Sequence, residues 1–297
     1  MNEQKQFKAG YVAIIGSPNV GKSTLVNRLV GAKLSIVTPK PQTTRSTIRG
    51  ILTTAEAQII FMDTAGIHKP KDMLGEYMVS AAKKTLLDAN IIYLMVESDL
   101  PRPRDIQLIS ELQSTGTPVF LLINKVDLVA KEALLPVIGA YCSTMDFKEI
   151  IPLSALDGDN VDALLKKTID YLPEGPAYFP EDITSDQIER EFIAEFIREK
   201  IFLNTFEEIP YSTAVVIDDM TERETGGAYI SSTIYVEKDS QKGIIIGKGG
   251  QMIKKIGEAA RREIEDFMGY QVYLDLHVKV EKSWRKEIKA LRRLGYS

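Results

Sequence analysis

Residues 11–23 read Tyr-Val-Ala-Ile-Ile-Gly-Ser-Pro-Asn-Val-Gly-Lys-Ser, and this stretch decides how the rest of the chain is read. A short apolar run ends at Ile15, a glycine-bounded loop follows, and Lys22–Val30 then has the composition of a helix. Gly16 to Ser23 fits G-x-x-x-x-G-K-[ST], placed between a strand and a helix as a phosphate-binding loop must be. The residues of such a loop, Gly16, Ser17, Pro18, Asn19, Val20, Gly21, Lys22, Ser23 and Thr24, are expected to wrap a nucleotide's phosphates. Glycines let the backbone approach, the helix N-terminus offers N–H donors, Lys22 offsets phosphate charge, and the Ser23 hydroxyl ligates Mg²⁺.

Working outward, apolar runs at Tyr11–Ile15, Gln58–Met62, Ile91–Val96, Val119–Ile123 and Ile150–Leu153 predict strands buried on both faces. Helical stretches at Lys22–Val30, Ser80–Asp88, Asp105–Gln113 and Asn160–Tyr171 lie between them. The alternation predicts an α/β fold with a mostly parallel sheet, whose ligand site lies at the carboxyl ends of the strands. Three loops there carry chemistry. Asp63-Thr64-Ala65-Gly66 follows the second run, with Asp63 suited to hold Mg²⁺ and the Gly66 N–H to reach a γ-phosphate. Asn124-Lys125-Val126-Asp127 follows the fourth. The Asp127 carboxylate can accept from guanine N1–H and its exocyclic amine, whereas adenine would leave it unsatisfied. Asn124 is expected to brace this loop against the phosphate-binding turn, and the Lys125 stem to cover one face of the base. Ser154-Ala155-Leu156 follows the last run and offers backbone to the guanine carbonyl.

The run Leu172–Pro180 holds three prolines and a glycine, which neither a helix nor a central strand tolerates, so the domain boundary is placed there. Expected domains are residues 1–175, a linker at 176–184 and a small α+β domain at 185–297. The latter reads as a helix (Ser185–Phe202), strands Ser212–Asp218 and Ala228–Glu237, a helix-turn-helix (Ile244–Met268), a strand (Gln271–Glu281) and a last helix (Trp284–Arg293). Within the helix-turn-helix, Gly247-Lys248-Gly249-Gly250 is a G-x-x-G turn preceded by Ile244–Ile246 and followed by Ile253, Lys254 and Lys255. From Lys242 to Ser297 there are 13 Lys and Arg against 7 Asp and Glu, a net of +6 in a chain whose total is −4. A polyanion partner is therefore expected at the C-terminal end.

Composition excludes other classes. The 297 residues are 44% hydrophobic and 26% charged, which suits two globular domains and rules out disorder. The single cysteine, Cys142, excludes an intramolecular disulfide, and two histidines, His68 and His277, leave little for a histidine-based metal site. Met1–Gly10 lacks an apolar signal core, and no apolar run approaches the length that spans a bilayer, so a cytoplasmic location is expected.

The four nucleotide motifs, in this order, resemble those of Ras-like, translation-factor-class GTPases. The loop Gln42-Thr43-Thr44-Arg45 resembles the first switch segment of the branch that includes Era, in which a threonine completes the Mg²⁺ shell; Thr44 is chosen over Thr43. The resemblance makes Lys22, Thr44 and Gly66 the catalytic set and Ser23, Thr44 and Asp63 the Mg²⁺ set. Ile67 stands where Ras has its water-orienting glutamine and can neither donate nor accept a hydrogen bond, so intrinsic turnover is expected to be slow. Asn19 resembles the asparagine with which relatives hold K⁺ beside the phosphates, which implies K⁺-stimulated hydrolysis.

The C-terminal region resembles the type II KH module, whose G-x-x-G loop clamps about four nucleotides of RNA backbone. That resemblance makes Ile246, Gly247, Lys248, Gly249, Gly250, Ile253 and Lys254 the RNA contacts. Trp284 has two readings, a base-stacking ring or a core anchor, with the core preferred.

A phosphate-loop GTPase followed by one KH domain closely resembles the Era family of bacterial GTPases, over about Gly10–Ser297. One departure is Ala65, where the family commonly has proline. The resemblance implies a monomer that binds the 3′ end of 16S rRNA, assists assembly of the small (30S) ribosomal subunit, gates RNA binding by its nucleotide state and contacts the inner membrane face peripherally. The rival readings are a membrane or cell-cycle switch acting through a protein partner, and an RNA-binding scaffold with a degenerate nucleotide site.

Overall fold

The computed structural model describes residues 6–40, 43–66, 70–222 and 226–296. Its contacts divide the chain into two compact units. The first comprises residues 1–35, 44–69 and 78–186; the second comprises 36–43, 70–77 and 187–297. Gln42 and Ile67, on which two of the expectations fall, lie outside the described residues, as do His68 and Ser297.

The first unit is built on six strands: β1 (Lys8–Gly16), β2 (Ile48–Thr53), β3 (Ala57–Asp63), β4 (Ile91–Glu97), β5 (Val119–Asn124) and β6 (Glu149–Pro152). They lie in the order β2-β3-β1-β4-β5-β6, with only β2 antiparallel to its neighbour. Alternation along β1 splits the core, since successive side chains point to opposite faces. Val12 and Ile14 pack with Leu25, Val26 and Leu29 of helix α1 (Lys22–Val30) and Leu164 of α5 (Val161–Tyr171). Ala13 and Ile15 belong to the cluster on the other face with Ala82 of α2 (Met73–Leu87), Leu108 and Leu112 of α3 (Pro103–Leu112), and Val137 and Tyr141 of α4 (Lys131–Cys142).

Two elements were not anticipated. The strand β2 is short and polar at both flanks, and forms because β3 offers it an edge. Helix α4 carries Pro136 in its interior and Gly139 after it, which obscures its helical pattern.

The proline-rich stretch is fastened along the first unit's sheet. The backbones of Lys8 and Glu174 pair as an isolated antiparallel β-bridge, Ala9 N–H donates to Pro173 O at 3.1 Å, and the Gln58 side chain binds Tyr178 N, Phe179 N and Phe179 O at 2.7, 2.9 and 2.8 Å. Ile51 N–H then donates to Thr184 O at 2.8 Å, and Ser185 Oγ to Arg49 O at 2.7 Å. Ser185 is thereby held beside β2, and the helix expected from it starts at Glu189 instead.

The second unit contains α6 (Glu189–Asn204), a one-turn α7 (Ile209–Ser212), β7 (Ala214–Glu222), β8 (Ala228–Val236), α8 (Asp239–Ile246), α9 (Gln251–Met268), β9 (Val272–Val280) and α10 (Ile288–Arg293). The strands order β7-β8-β9, with β7 antiparallel and β9 parallel to β8. This is the anticipated α-β-β-α-α-β order with α7 added, so that Ser212 ends a helical turn rather than starting a strand. Ile256, Ala260 and Ile264 line the buried face of α9, while the Phe267 ring lies 5.3 Å from Phe192 and 5.4 Å from Phe196 of α6. The last helix is broken: Trp284–Lys286 makes a 3-10 turn and Glu287 is extended (φ −120°, ψ 116°) before α10.

Trp284 is fully buried, its Nε1 donates to Ser212 O at 2.9 Å, and its ring stacks on Tyr296 at 5.8 Å. That geometry makes it the core anchor and excludes the base-stacking reading. No described helix is long and apolar enough to cross a membrane.

Candidate functional site

In the first unit, the loops that leave β1, β3, β5 and β6 emerge at one end of the sheet. The phosphate-binding turn is shaped by backbone conformations that side chains resist. Gly21 has φ 105° and caps α1 without any side-chain hydrogen bond, so the first-turn N–H groups point outward as donors. Asn19 stands exposed at the tip with φ 65°. A Cβ on Gly16 would fall 2.2 Å from Met95 O, and one on Gly66 would fall 3.0 Å from Pro18 N. Gly66 is therefore packed directly against the phosphate-binding turn.

Lys22 is buried, with Nζ donating to Gly16 O at 3.2 Å and Ser17 O at 3.0 Å. Burial lowers its pKa to about 8, against the opposing pull of Asp63. Ser23 Oγ donates to Asp63 Oδ2 at 2.7 Å and lies 3.0 Å from Thr44 Oγ1. The other Asp63 oxygen, Oδ1, is buried and has no hydrogen-bond partner. Burial raises the Asp63 pKa, opposed by Lys22 and the hydroxyls of Ser23, Ser35 and Thr44. A buried carboxylate oxygen without a donor, flanked by hydroxyls, is the ligand set expected of a hard cation. Thr43 does not share this geometry: within the second unit its Oγ1 is 2.7 Å from Thr38 Oγ1 and donates to Lys40 O at 2.7 Å.

Asn124 joins three loops. Its Nδ2 donates to Val20 O at 2.7 Å, and its Oδ1 accepts from Ala155 N at 2.8 Å. Lys125 sits in the left-handed region (φ 65°) and its ammonium pairs with Glu97. Burial pulls Glu97 upward, but hydrogen bonds from Lys125 and Arg102 outweigh it and hold the carboxyl below its usual range. Asp127 is exposed in the single 3-10 turn Val126–Leu128. Ser154 is buried, its Oγ accepting from Asp157 N at 3.0 Å, whereas the Leu156 side chain is 67% exposed.

Sequence reasoning missed three residues here. Glu97 is legible only as an acidic end to an apolar run. Ser35, whose buried Oγ has no hydrogen-bond partner, carried no signal. Arg28 of α1 looked like an ordinary surface charge, yet its Nε donates to Ala155 O at 2.8 Å and its Nη2 to Leu156 O.

In the second unit the G-x-x-G turn joins α8 to α9. Gly247, Gly249 and Gly250 all have positive φ, at 74°, 61° and 77°. A Cβ on Gly247 would meet Met252 Cβ at 2.7 Å and Met252 N at 2.8 Å, whereas Gly249 and Gly250 open to free space. Lys248 and Lys254 are exposed, and Ile246 and Ile253 are half-buried beside them. The turn thus presents bare backbone flanked by charge and by apolar side chains.

The same two-part organisation recurs among known proteins. A family model described as 50S ribosome-binding GTPase matches residues 11–125, and one described as KH domain matches residues 208–285. GTPase Era of Ruminiclostridium cellulolyticum is 50% identical over 291 residues, covering 98% of each chain. An Aquifex aeolicus Era variant bound to GDP and AlF4− superimposes with a TM-score of 0.95 at 43% identity, covering 98% of this chain and 100% of that one. A structure of Era with MgGDPNP and nucleotides 1506–1542 of 16S ribosomal RNA gives a TM-score of 0.96 at 43% identity, covering 98% and 99%. With half its positions shared along nearly the whole length of both chains, and with the phosphate-binding loop and the KH turn in the corresponding order, this chain belongs to the Era family of GTPases.

Proposed function

We propose that the protein hydrolyses GTP with Mg²⁺ and uses its nucleotide state to control binding of its KH unit to the 3′ end of 16S rRNA during small-subunit assembly. The observation that carries the catalytic half is the convergence of Lys22, Ser23, Thr44 and the unpaired Asp63 oxygen. Ser23, Thr44 and Asp63 hold Mg²⁺, which offsets phosphate charge when bound. Lys22 neutralises the β and γ oxygens, the N–H groups at the start of α1 and at Gly66 orient them, and Asp127 selects guanine. Lys125 covers one face of the base and the turn at Ser154, Ala155 and Leu156 meets its carbonyl. Asn19 holds K⁺; hydrolysis is then faster in KCl than in matched NaCl, and equal rates would remove this part.

The RNA half rests on the bare G-x-x-G backbone and on the RNA-bound Era structure at 43% identity. Nucleotide control is supported by the contacts of Val37 and Thr43, which precede Thr44 in the chain yet belong to the second unit. There Val37 N donates to Glu199 Oε1 of α6 at 3.1 Å, and Arg198 donates to Thr43 O. Ordering Thr44 on a Mg²⁺-bound γ-phosphate would thus be felt by α6.

The test is binding of a short RNA from the 16S 3′ end to protein loaded with a GTP analogue or GDP at fixed salt, with Gly249→Asp as control. Selective binding that needs the GTP analogue and is lost in the variant is expected. Weak binding that ignores both would shift the reading to a switch with a protein partner.

A further inference from the structure

Arg28 lies in the last turn of α1, the helix that begins at the phosphate-binding loop, yet its guanidinium serves a turn 127 residues further along the chain. Two of its nitrogens donate to successive carbonyls, Nε to Ala155 O at 2.8 Å and Nη2 to Leu156 O. A Cβ on Gly158 (φ 96°) would come within 2.8 Å of Arg28 Nη1.

A trans peptide points its C=O and N–H in opposite directions. With Ala155 O drawn toward Arg28, the N–H of Leu156 faces the other way. Gly158 N–H donates to Ser154 O at 2.8 Å, closing a single helical turn in which successive N–H groups point the same way, and the neighbouring Ala155 N–H donates to Asn124 Oδ1, at the head of the loop that carries Asp127. Arg28 thus holds the Ala155 and Leu156 carbonyls on one side, and the Ala155 N–H is turned toward the base-selecting loop. The exposed Leu156 side chain takes no part in this, so the backbone is what this position contributes.

We infer that Arg28 is a positioning residue for guanine specificity: by holding the Ala155 and Leu156 carbonyls it aims the Leu156 N–H at the 6-oxo group of the base. This rests on the guanine reading of Asp127 given above. Asp127 reads the N1–H and 2-amino edge, and Arg28 secures the reading of the third group, position 6. Adenine presents an amine there, and a fixed N–H facing a donor rejects it, whereas an unanchored turn would rotate to accommodate it. The planar guanidinium, with donors in a fixed fork, suits two adjacent carbonyls better than a single ammonium does.

The experiment measures dissociation constants of GDP, IDP, 6-thio-GDP and ADP for the wild type, Arg28→Ala and Arg28→Lys. IDP lacks the 2-amino group but keeps the 6-oxo; 6-thio-GDP keeps the amino edge and replaces the oxygen with a poor acceptor. Arg28→Ala is expected to weaken GDP and IDP alike by about tenfold, the scale of one hydrogen bond, and 6-thio-GDP by less than about twofold. Arg28→Lys should fall between the wild type and Arg28→Ala. Equal losses for all three nucleotides would make Arg28 a structural brace and overturn the inference, as would no loss for any. A wild type that binds ADP as tightly as GDP would instead overturn the guanine reading itself. Arg28 is exposed, so both variants should fold, which thermal unfolding checks.

Discussion

Raising the pH should uncouple Lys22 from the nucleotide. Its ammonium is buried against the carbonyls of Gly16 and Ser17, and burial lowers its pKa from 10.5 to about 8. In the nucleotide-free fold the charged form is therefore penalised by about 3 kcal/mol. The penalty is fully present below pH 8 and fades as pH rises from 8 toward 10.5, where the unfolded chain also loses its proton. Phosphate oxygens beside Lys22 restore its affinity for a proton, so GDP binding above pH 8 must take one up. With an apo pKa of about 8, about a tenth of Lys22 is neutral at pH 7 and about three quarters at pH 8.5. Uptake should rise from about 0.1 to about 0.75 proton per GDP, and GDP affinity should fall about fourfold over that interval. Mg²⁺ is omitted so that Asp63 does not contribute, and the terminal phosphate, which ionises near pH 6, is already charged. Calorimetry in two buffers of different ionisation enthalpy gives the proton count. Identical heats in both buffers at pH 8.5 would refute the reasoning, and Lys22→Met should show no such uptake.

Thr44→Ala is expected to raise about tenfold the Mg²⁺ concentration needed to bind a GTP analogue, while Thr43→Ala shifts it by less than about twofold, the scale of losing one hydroxyl contact. Magnesium titrations compare the two, and the reverse order would move the ligand to Thr43. Trp284→Ala should cost about 3–5 kcal/mol by removing a fully buried indole, and Trp284→Phe about 2 kcal/mol by leaving Ser212 O without its donor. Circular dichroism in denaturant measures both; a loss below about 1 kcal/mol for the alanine variant would contradict the core role. Gly247→Ala should cost about 2–4 kcal/mol, because left-handed strain adds to collision with Met252 N at 2.8 Å, whereas Gly249→Ala meets only the strain, about 1–2 kcal/mol. Trp284 is the only tryptophan, so its fluorescence reports the unfolding of the second unit in both variants. Equal costs would mean that the two glycines are kept for the same reason.

What could be read in the chain was what is local. The loop Gly16–Ser23 needs only glycines at the right spacing between a strand and a helix, and the structure builds it there with positive φ at Gly16, Asn19 and Gly21. The five parallel strands announce themselves because a strand buried on both faces must be continuously apolar. The order of elements after Gln187 was legible in the same local way, apart from the added turn α7. Two of the misses have local causes and the third does not. Pro136 hides α4, Glu287 breaks a helix that composition makes continuous, and β2 owes its conformation to the edge of β3 rather than to its own residues.

The sequence by itself therefore determined the class of the fold and the residue types of the nucleotide loops, because backbone conformation and hydrophobic periodicity are set by neighbours in the chain. Only the tertiary structure decided between Trp284 as ring platform and as anchor, between Thr43 and Thr44 beside Ser23, and that Arg28 braces the turn after β6. Arg28 meets Ala155 and Asp63 meets Ser23 while keeping a buried, unpaired oxygen, across separations of 127 and 40 residues. Hydrogen-bond partners at such distances follow from how strands are ordered in the sheet, and no pattern of spacing along the chain encodes that order.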